Sequence, residues 1–238
     1  RLIKMEKENK VSIEGIHVHS GSDISNINSF IKGAKTVFNL AFEFKNIKFI
    51  DLGGGFKVPY FIGDNYTDME KLGEKISIEF NYFKEQYKKD ISLIFEPGKY
   101  LVSEAGYFLT KVNYLKEGSK NKFAQINSGF NHFIRPALYN SFHEIDNISN
   151  NKAKKEKYSI VGYICENDTF AENREIAKIN KGDILCFKNA GAYGFSMSSN
   201  YNSRYTPAEV CFYNNEFKLI RKSQEIKDLL NNQIIIDL

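Results

Sequence analysis

Three short apolar runs near the front of this chain each stop at an unusual polar or glycine-rich turn, and a helical pattern follows each of the first two. Residues 12–18 read as a strand ending in His19-Ser20-Gly21-Ser22. Residues 47–52 read as a second, ending at Gly53-Gly54-Gly55. Residues 91–95 read as a third, ending in Glu96-Pro97-Gly98. Between them Ile27, Phe30, Ile31, Ala34, Phe38 and Ala41 recur at helical spacing, as do Leu72, Ile76, Phe80, Phe83 and Tyr87. Thr67-Asp68-Met69-Glu70 has the form of a capping box opening the second helix. Such units imply a parallel α/β architecture with ligand groups at the carboxyl ends of its strands. A closed (β/α)8 barrel needs eight of them in roughly 250 residues. Only three are found here, and three strands leave an unpaired sheet edge. The expectation is therefore a partial barrel, with the missing strands ahead of residue 1.

From about Tyr107 the apolar period changes to two. Residues 107–115, 123–127, 158–164, 183–188 and 209–213 read as strands of a β domain. Residues 147–157 are polar and charged and read as an exposed loop. The predicted organisation is α/β plus β: residues 1–105 form the C-terminal part of a barrel, and residues 106–238 a β-sandwich or β-barrel domain. The isolated partial barrel is expected to fold poorly, while the β domain folds independently.

Composition narrows the function. A formal net charge of +4 over 238 residues, with its one dense lysine patch at 152–157, offers no basic stripe or module for nucleic acid. No apolar run reaches the ~18–20 residues that span a membrane. Cys165, Cys186 and Cys211 fit neither a zinc site nor a disulfide framework, so a reducing cytoplasm is the expected compartment.

Six segments carry possible chemistry. A triple-glycine turn after a strand lets backbone N–H groups approach an anion, though it also serves as a plain tight turn. His17 and His19 share one strand face. No carboxylate or third histidine lies at ligand spacing in the sequence, so a stacking or core role is preferred and no metal is expected. Glu96 at a strand end could meet a protonated ring nitrogen, or simply be a solvated turn residue. Arg135 and Tyr139 could grip a carboxylate, or be a surface ion pair and a core aromatic. Cys165-Glu166 could be an acid beside a charge anchor, although most lone cysteines are merely buried. The sixth segment runs from Ala190-Gly191-Ala192-Tyr193-Gly194-Phe195 to Asn202.

Taken in order, these segments resemble the fold-type III pyridoxal-phosphate-dependent decarboxylases, specifically the diaminopimelate decarboxylases. The resemblance runs from Gly15 to Val210. It is most specific between Ala190 and Pro207, and next at Cys165-Glu166. It implies a pyridoxal 5'-phosphate cofactor and a head-to-tail homodimer with shared active sites. His19 would stack on the pyridine ring. Ser22, Gly53, Gly54, Gly55, Gly98 and Tyr193 would surround the phosphate, and Glu96 would pair with the ring nitrogen. Lys99 would contact phosphate or substrate, and Tyr193 would also border the substrate. Arg135 and Tyr139 would hold the carboxylate that is kept. Glu166 would bind the distal ammonium, and Cys165 would supply the proton that replaces the lost carboxylate. The implied reaction converts meso-2,6-diaminopimelate to L-lysine and CO2.

Three departures stand out. Lys99 replaces an arginine common in that family, losing the bidentate fork. Asn167-Asp168-Thr169 replaces a Ser-Gly-Asp run after the Cys-Glu pair. No lysine stands in a segment of the type that carries the family's Schiff-base lysine, so the chain by itself is expected to be inactive. Decarboxylases of carboxynorspermidine, ornithine or arginine share several of these segments, and a non-catalytic dimerising relative is the alternative of another class.

Overall fold

In the computed structural model, which describes residues 2–8, 10–118 and 121–236, the chain divides into two units, Arg1–Ala105 and Gly106–Leu238. The first contains α1 (Leu2–Lys7), β1 (Gly15–His17), α2 (Ile27–Ala41), β2 (Phe49–Gly54), α3 (Met69–Tyr87), β3 (Ser92–Glu96) and α4 (Gly98–Val102). Its strands lie side by side in the order β1-β2-β3, all parallel. The register sets His17 opposite Asp51, and Gly54 opposite Glu96. The three strands therefore end together at their carboxyl ends.

The helical periodicities place the core. Phe30, Ile31, Ala34, Phe38 and Ala41 of α2 are buried, as are Leu72, Ile76 and Phe83 of α3. Phe38 stacks on Phe83 with ring centroids 5.1 Å apart. Ile50 and Leu52 of β2 are wholly enclosed. Two local expectations are corrected. The first strand is shorter than residues 12–18, because only Gly15–His17 pair with β2. The cap of α3 is Asp68, whose side chain accepts from Lys71 N at 3.0 Å. Thr67 faces inward instead, donating to Ile24 O and accepting from Lys57 N at 2.7 Å. Both bonds lie outside the helix, and they take the hydroxyl a capping box would have used.

The second unit contains β4 (Phe108–Glu117), β5 (Lys122–Ile126), α5 (Arg135–Tyr139), β6 (Ile145–Asn147), β7 (Lys155–Val161), β8 (Thr169–Ala177), β9 (Ile184–Phe187), β10 (Glu209–Tyr213), β11 (Glu216–Arg221) and α6 (Ile226–Leu230). Six strands form one sheet in the order β6-β9-β4-β5-β7-β8. Only β5 and β7 are parallel within it. The core on this sheet includes Val112, Ala124, Ile126, Phe133, Ile160 and Phe187. β10 and β11 form a separate hairpin around Asn214 and Asn215, both in the left-handed region, as a two-residue turn requires.

The exposed loop expected at 147–157 is also corrected. Asn147 is buried, and its amide donates to Lys178 O at 2.9 Å and to Asp183 Oδ2 at 2.8 Å. Lys155 already belongs to β7. The two ends of the stretch belong to strands, while residues 148–154 between them are turn and largely exposed, as expected.

Candidate active site

In the first unit, the parallel sheet alone brings the strand-end residues together. Gly53 and Gly55 have φ of +68° and +86°. A methyl group on Gly54 would stand 1.9 Å from Glu96 O, and one on Gly55 would stand 1.9 Å from Gly21 O. The turn is thus a close crossing of backbones that only glycine permits. Gly53 N donates to Asp51 Oδ1 at 2.8 Å, and Gly54 N donates to His19 Nδ1 at 3.4 Å. This second bond seats the imidazole of His19 against the turn. Lys99 is buried, and its ammonium donates to Ser22 Oγ at 3.0 Å and to Asp23. A hydroxyl, an ammonium and a side-chain-free turn border one another, which suits an anionic group such as a phosphate.

Glu96 lies at the end of β3, half-exposed, with Oε2 3.3 Å from His17 Nε2. Asp51 joins them, and one ligand atom from each of the three lies within 4.8 Å of the others. No such neighbour for His17 was visible at sequence spacing. The sheet supplies it, because the three residues sit on three adjacent strands. An acceptor carboxylate beside a glycine cup also fits a protonated heterocycle carrying a phosphate. Gly98 differs from Gly53, Gly54 and Gly55: it opens α4, and nothing lies within 4 Å of where its Cβ would stand.

In the second unit the candidate residues are held by side chains. Cys165 and Glu166 lie exposed on the loop between β7 and β8. The thiol donates to Glu166 Oε2 at 3.2 Å, and the phenol of Tyr201 donates to Glu166 Oε1. Glu166, accepting this proton and adding its charge, holds Cys165 above the usual cysteine range. The donors from Tyr201 and Cys165 hold Glu166 below the usual carboxylate range.

Asp168 staples this loop. It is buried, and its two oxygens accept from Phe130 N at 2.6 Å and from Ile164 N at 2.7 Å. Burial pushes its carboxyl up although both amides pull the other way. The turn at 128–132 supports the same region. His132 Nδ1 lies 2.7 Å from Ser128 Oγ, and its Nε2 donates to Tyr205 O at 2.7 Å. Ser199 N donates to Asn131 O at 2.8 Å.

Arg135, the first residue of α5, is buried, with its guanidinium 5.9 Å from the Tyr193 ring centroid. Tyr139 at the end of α5 is exposed. Tyr193 has φ +62°, a left-handed conformation that turns the segment following Ala190. The structure thus groups His19, Gly53, Gly54 and Glu96 in one cluster, and Lys99 with Ser22. It groups Cys165 with Glu166, and Arg135 with Tyr193. Sequence reasoning did not single out Tyr201, Asp168, His132, Asp51 or Asp23. Tyr201 lay inside a segment already marked as specific. Asp168 stands in the run that departs from the family pattern after the Cys-Glu pair.

Residues 1–103 match the pyridoxal binding domain of the pyridoxal-dependent decarboxylases, and residues 66–191 match their C-terminal sheet domain. Diaminopimelate decarboxylase of Methanothermobacter thermautotrophicus is 38% identical over 227 residues, 92% of this chain and 53% of the relative. The crystal structure of diaminopimelate decarboxylase from Methanocaldococcus jannaschii in co-complex with L-lysine superposes with a TM-score of 0.88 at 36% identity, covering 98% of this chain and 55% of that one. The lysine/ornithine decarboxylase of Vibrio vulnificus, complexed with cadaverine, is 20% identical with a TM-score of 0.72, covering 85% of this chain and 55% of that one, a likeness of fold. The chain spans about half the length of the curated relatives it matches.

Proposed function

This chain belongs to the pyridoxal-dependent decarboxylases, and from that premise we propose that it is part of a polypeptide converting meso-2,6-diaminopimelate to L-lysine and CO2. The observation that carries the choice of substrate is identity of 36–38% to diaminopimelate decarboxylases across nearly the whole chain. Pyridoxal 5'-phosphate, when bound, supplies the electron sink that decarboxylation of an amino acid requires.

The residues of this chain do the remaining work. The turn at Gly53–Gly55 leaves room for the phosphate, and Ser22 and Lys99 add a hydroxyl and a positive charge. Gly98 would border the same group. His19, seated on Gly54, would stack against the ring. Glu96, as a carboxylate, would accept a hydrogen bond from the protonated ring nitrogen and so keep that nitrogen charged.

Arg135, with Tyr139 and Tyr193, orients the carboxylate that is retained. Glu166 receives the distal ammonium. Cys165 holds the proton that replaces CO2. Its thiol, kept above the usual range by Glu166, stays protonated at neutral pH and available to donate. The complete site is shared between the protomers of a cytoplasmic homodimer.

The test is turnover by the full-length polypeptide supplied with pyridoxal phosphate. Diaminopimelate should release CO2 and be preferred over ornithine, arginine and carboxynorspermidine. No CO2, or a clear preference for ornithine, overturns the reading. Borohydride treatment of the 238-residue chain with cofactor should leave no stable adduct.

A further inference from the structure

We propose that Tyr201 is the positioning residue of the Cys165–Glu166 pair, its phenol fixing one carboxylate oxygen so that the other stays turned to the thiol. The proposal rests on the reading of Cys165 as the proton donor, and it adds to that reading the group that aims the donor.

Cys165 and Glu166 are consecutive and both exposed. An exposed glutamate has three rotatable bonds, and a single contact at the surface seldom holds it in one rotamer. Here the carboxylate has two donors on its two oxygens, Tyr201 on Oε1 and Cys165 on Oε2. Two donors from different directions fix both the position and the plane of the group.

Tyr201 is itself anchored. Its ring packs on Phe130 with centroids 5.2 Å apart, and its N–H donates to Ser199 Oγ at 3.4 Å. Ser199 is tied in turn to Asn131, a wholly buried residue. The same turn holds the other partner, because Phe130 N donates to Asp168 on the Cys165–Glu166 loop. Both sides of the Tyr201–Glu166 contact are therefore referenced to residues 130–131. A proton donor is effective only when held within reach of its target, and this arrangement supplies the constraint. The titratable groups facing the pair are Tyr201 and, behind the loop, Asp168 with both oxygens on backbone amides.

The experiment uses the full-length polypeptide and Tyr201→Phe, which keeps the ring on Phe130 and removes only the hydroxyl. Alkylation of Cys165 by iodoacetamide is followed against pH by peptide mass spectrometry, which separates it from Cys186 and Cys211. Without the clamp, Glu166 rotates into solvent and the thiol loses its acceptor. The alkylation profile should move to lower pH, in the same direction as in Glu166→Gln. The double variant should move no further than Glu166→Gln alone. Where CO2 release is measurable, kcat should fall roughly tenfold, the scale of one lost charge-assisted hydrogen bond. An unchanged profile, an upward shift, or additive shifts in the double variant overturn the proposal. If the wild type decarboxylates none of the candidate amino acids, the functional reading fails, while the alkylation data still decide the role of Tyr201.

Discussion

The two units hold their candidate residues in opposite ways. In the first, backbone topology places them: three parallel strands end together, and the residues just beyond those ends become neighbours without further help. In the second, buried polar side chains do the work. Asp168 and Asn131 tie loops from distant parts of the sequence to one turn. The lesson is that a parallel sheet yields a site from strand order alone, whereas an antiparallel sheet domain must staple its site together.

The largest effect that could break this contrast is expected at Gly55. Its methyl group would meet Gly21 O at 1.9 Å, at a φ of +86°. Gly55→Ala should destabilise the first unit by about 3 kcal/mol or more, read by chemical denaturation of the full-length polypeptide. Retention of wild-type stability would mean that the turn is not the close crossing described.

A comparable effect is expected in the second unit at Asp168, this time from a side chain. Asp168→Ala leaves two backbone amides without their acceptor and should cost roughly 2–4 kcal/mol. The pH dependence gives the sign. The carboxyl of Asp168 is raised by burial. The part of its contribution linked to protonation is therefore full below the ordinary aspartate range and lost as pH rises through the raised folded value, while the two amide hydrogen bonds remain. In Asp168→Asn that loss should vanish from the denaturation curves.

His143 should produce the next effect. It is buried beside Phe133 with its Nδ1 2.9 Å from Lys188 O, and burial lowers its pKa to about 4 from an ordinary 6.5. A depressed histidine stabilises the fold above the unfolded value, and that stability drains away as pH falls toward about 4. The loss should approach roughly 3 kcal/mol, and His143→Gln should flatten it. The smallest effect is expected at Gly98. Nothing surrounds its missing Cβ, so Gly98→Ala should change stability by less than about 0.5 kcal/mol. A large loss there would show that the glycines of the first unit are not distinguished by backbone crowding.

This contrast also explains what the sequence revealed. The strand-end turns of the first unit are local signals, since Gly53–Gly55 and Glu96-Pro97-Gly98 are legible wherever they occur. The placement of His17 beside Asp51 and Glu96 was not, because it depends on which strand lies next to which. In the second unit the partners are remote: Tyr201 is 35 positions from Glu166, and Phe130 is 38 from Asp168. Strand β8 escaped notice for a similar reason. Asn173 has φ +49° and the register with β7 shifts there and again at Phe170, so the alternation expected of a strand is broken. Asn147 looked like loop because polarity is local, whereas its burial is set by acceptors at 178 and 183.

The order of strands in the second unit also sets a schedule for a chain leaving the ribosome. β4, near the middle of the sheet, pairs with β9, so Phe108 finds its neighbour only after Phe187 has been made. Such distant pairings form slowly, and until they form the apolar face stands open to other nascent chains. Cys165 and Glu166 are translated before that closing strand, and Tyr201 after it. The thiol–carboxylate loop therefore emerges first, the strand that closes the sheet second, and the residue that aims the thiol last.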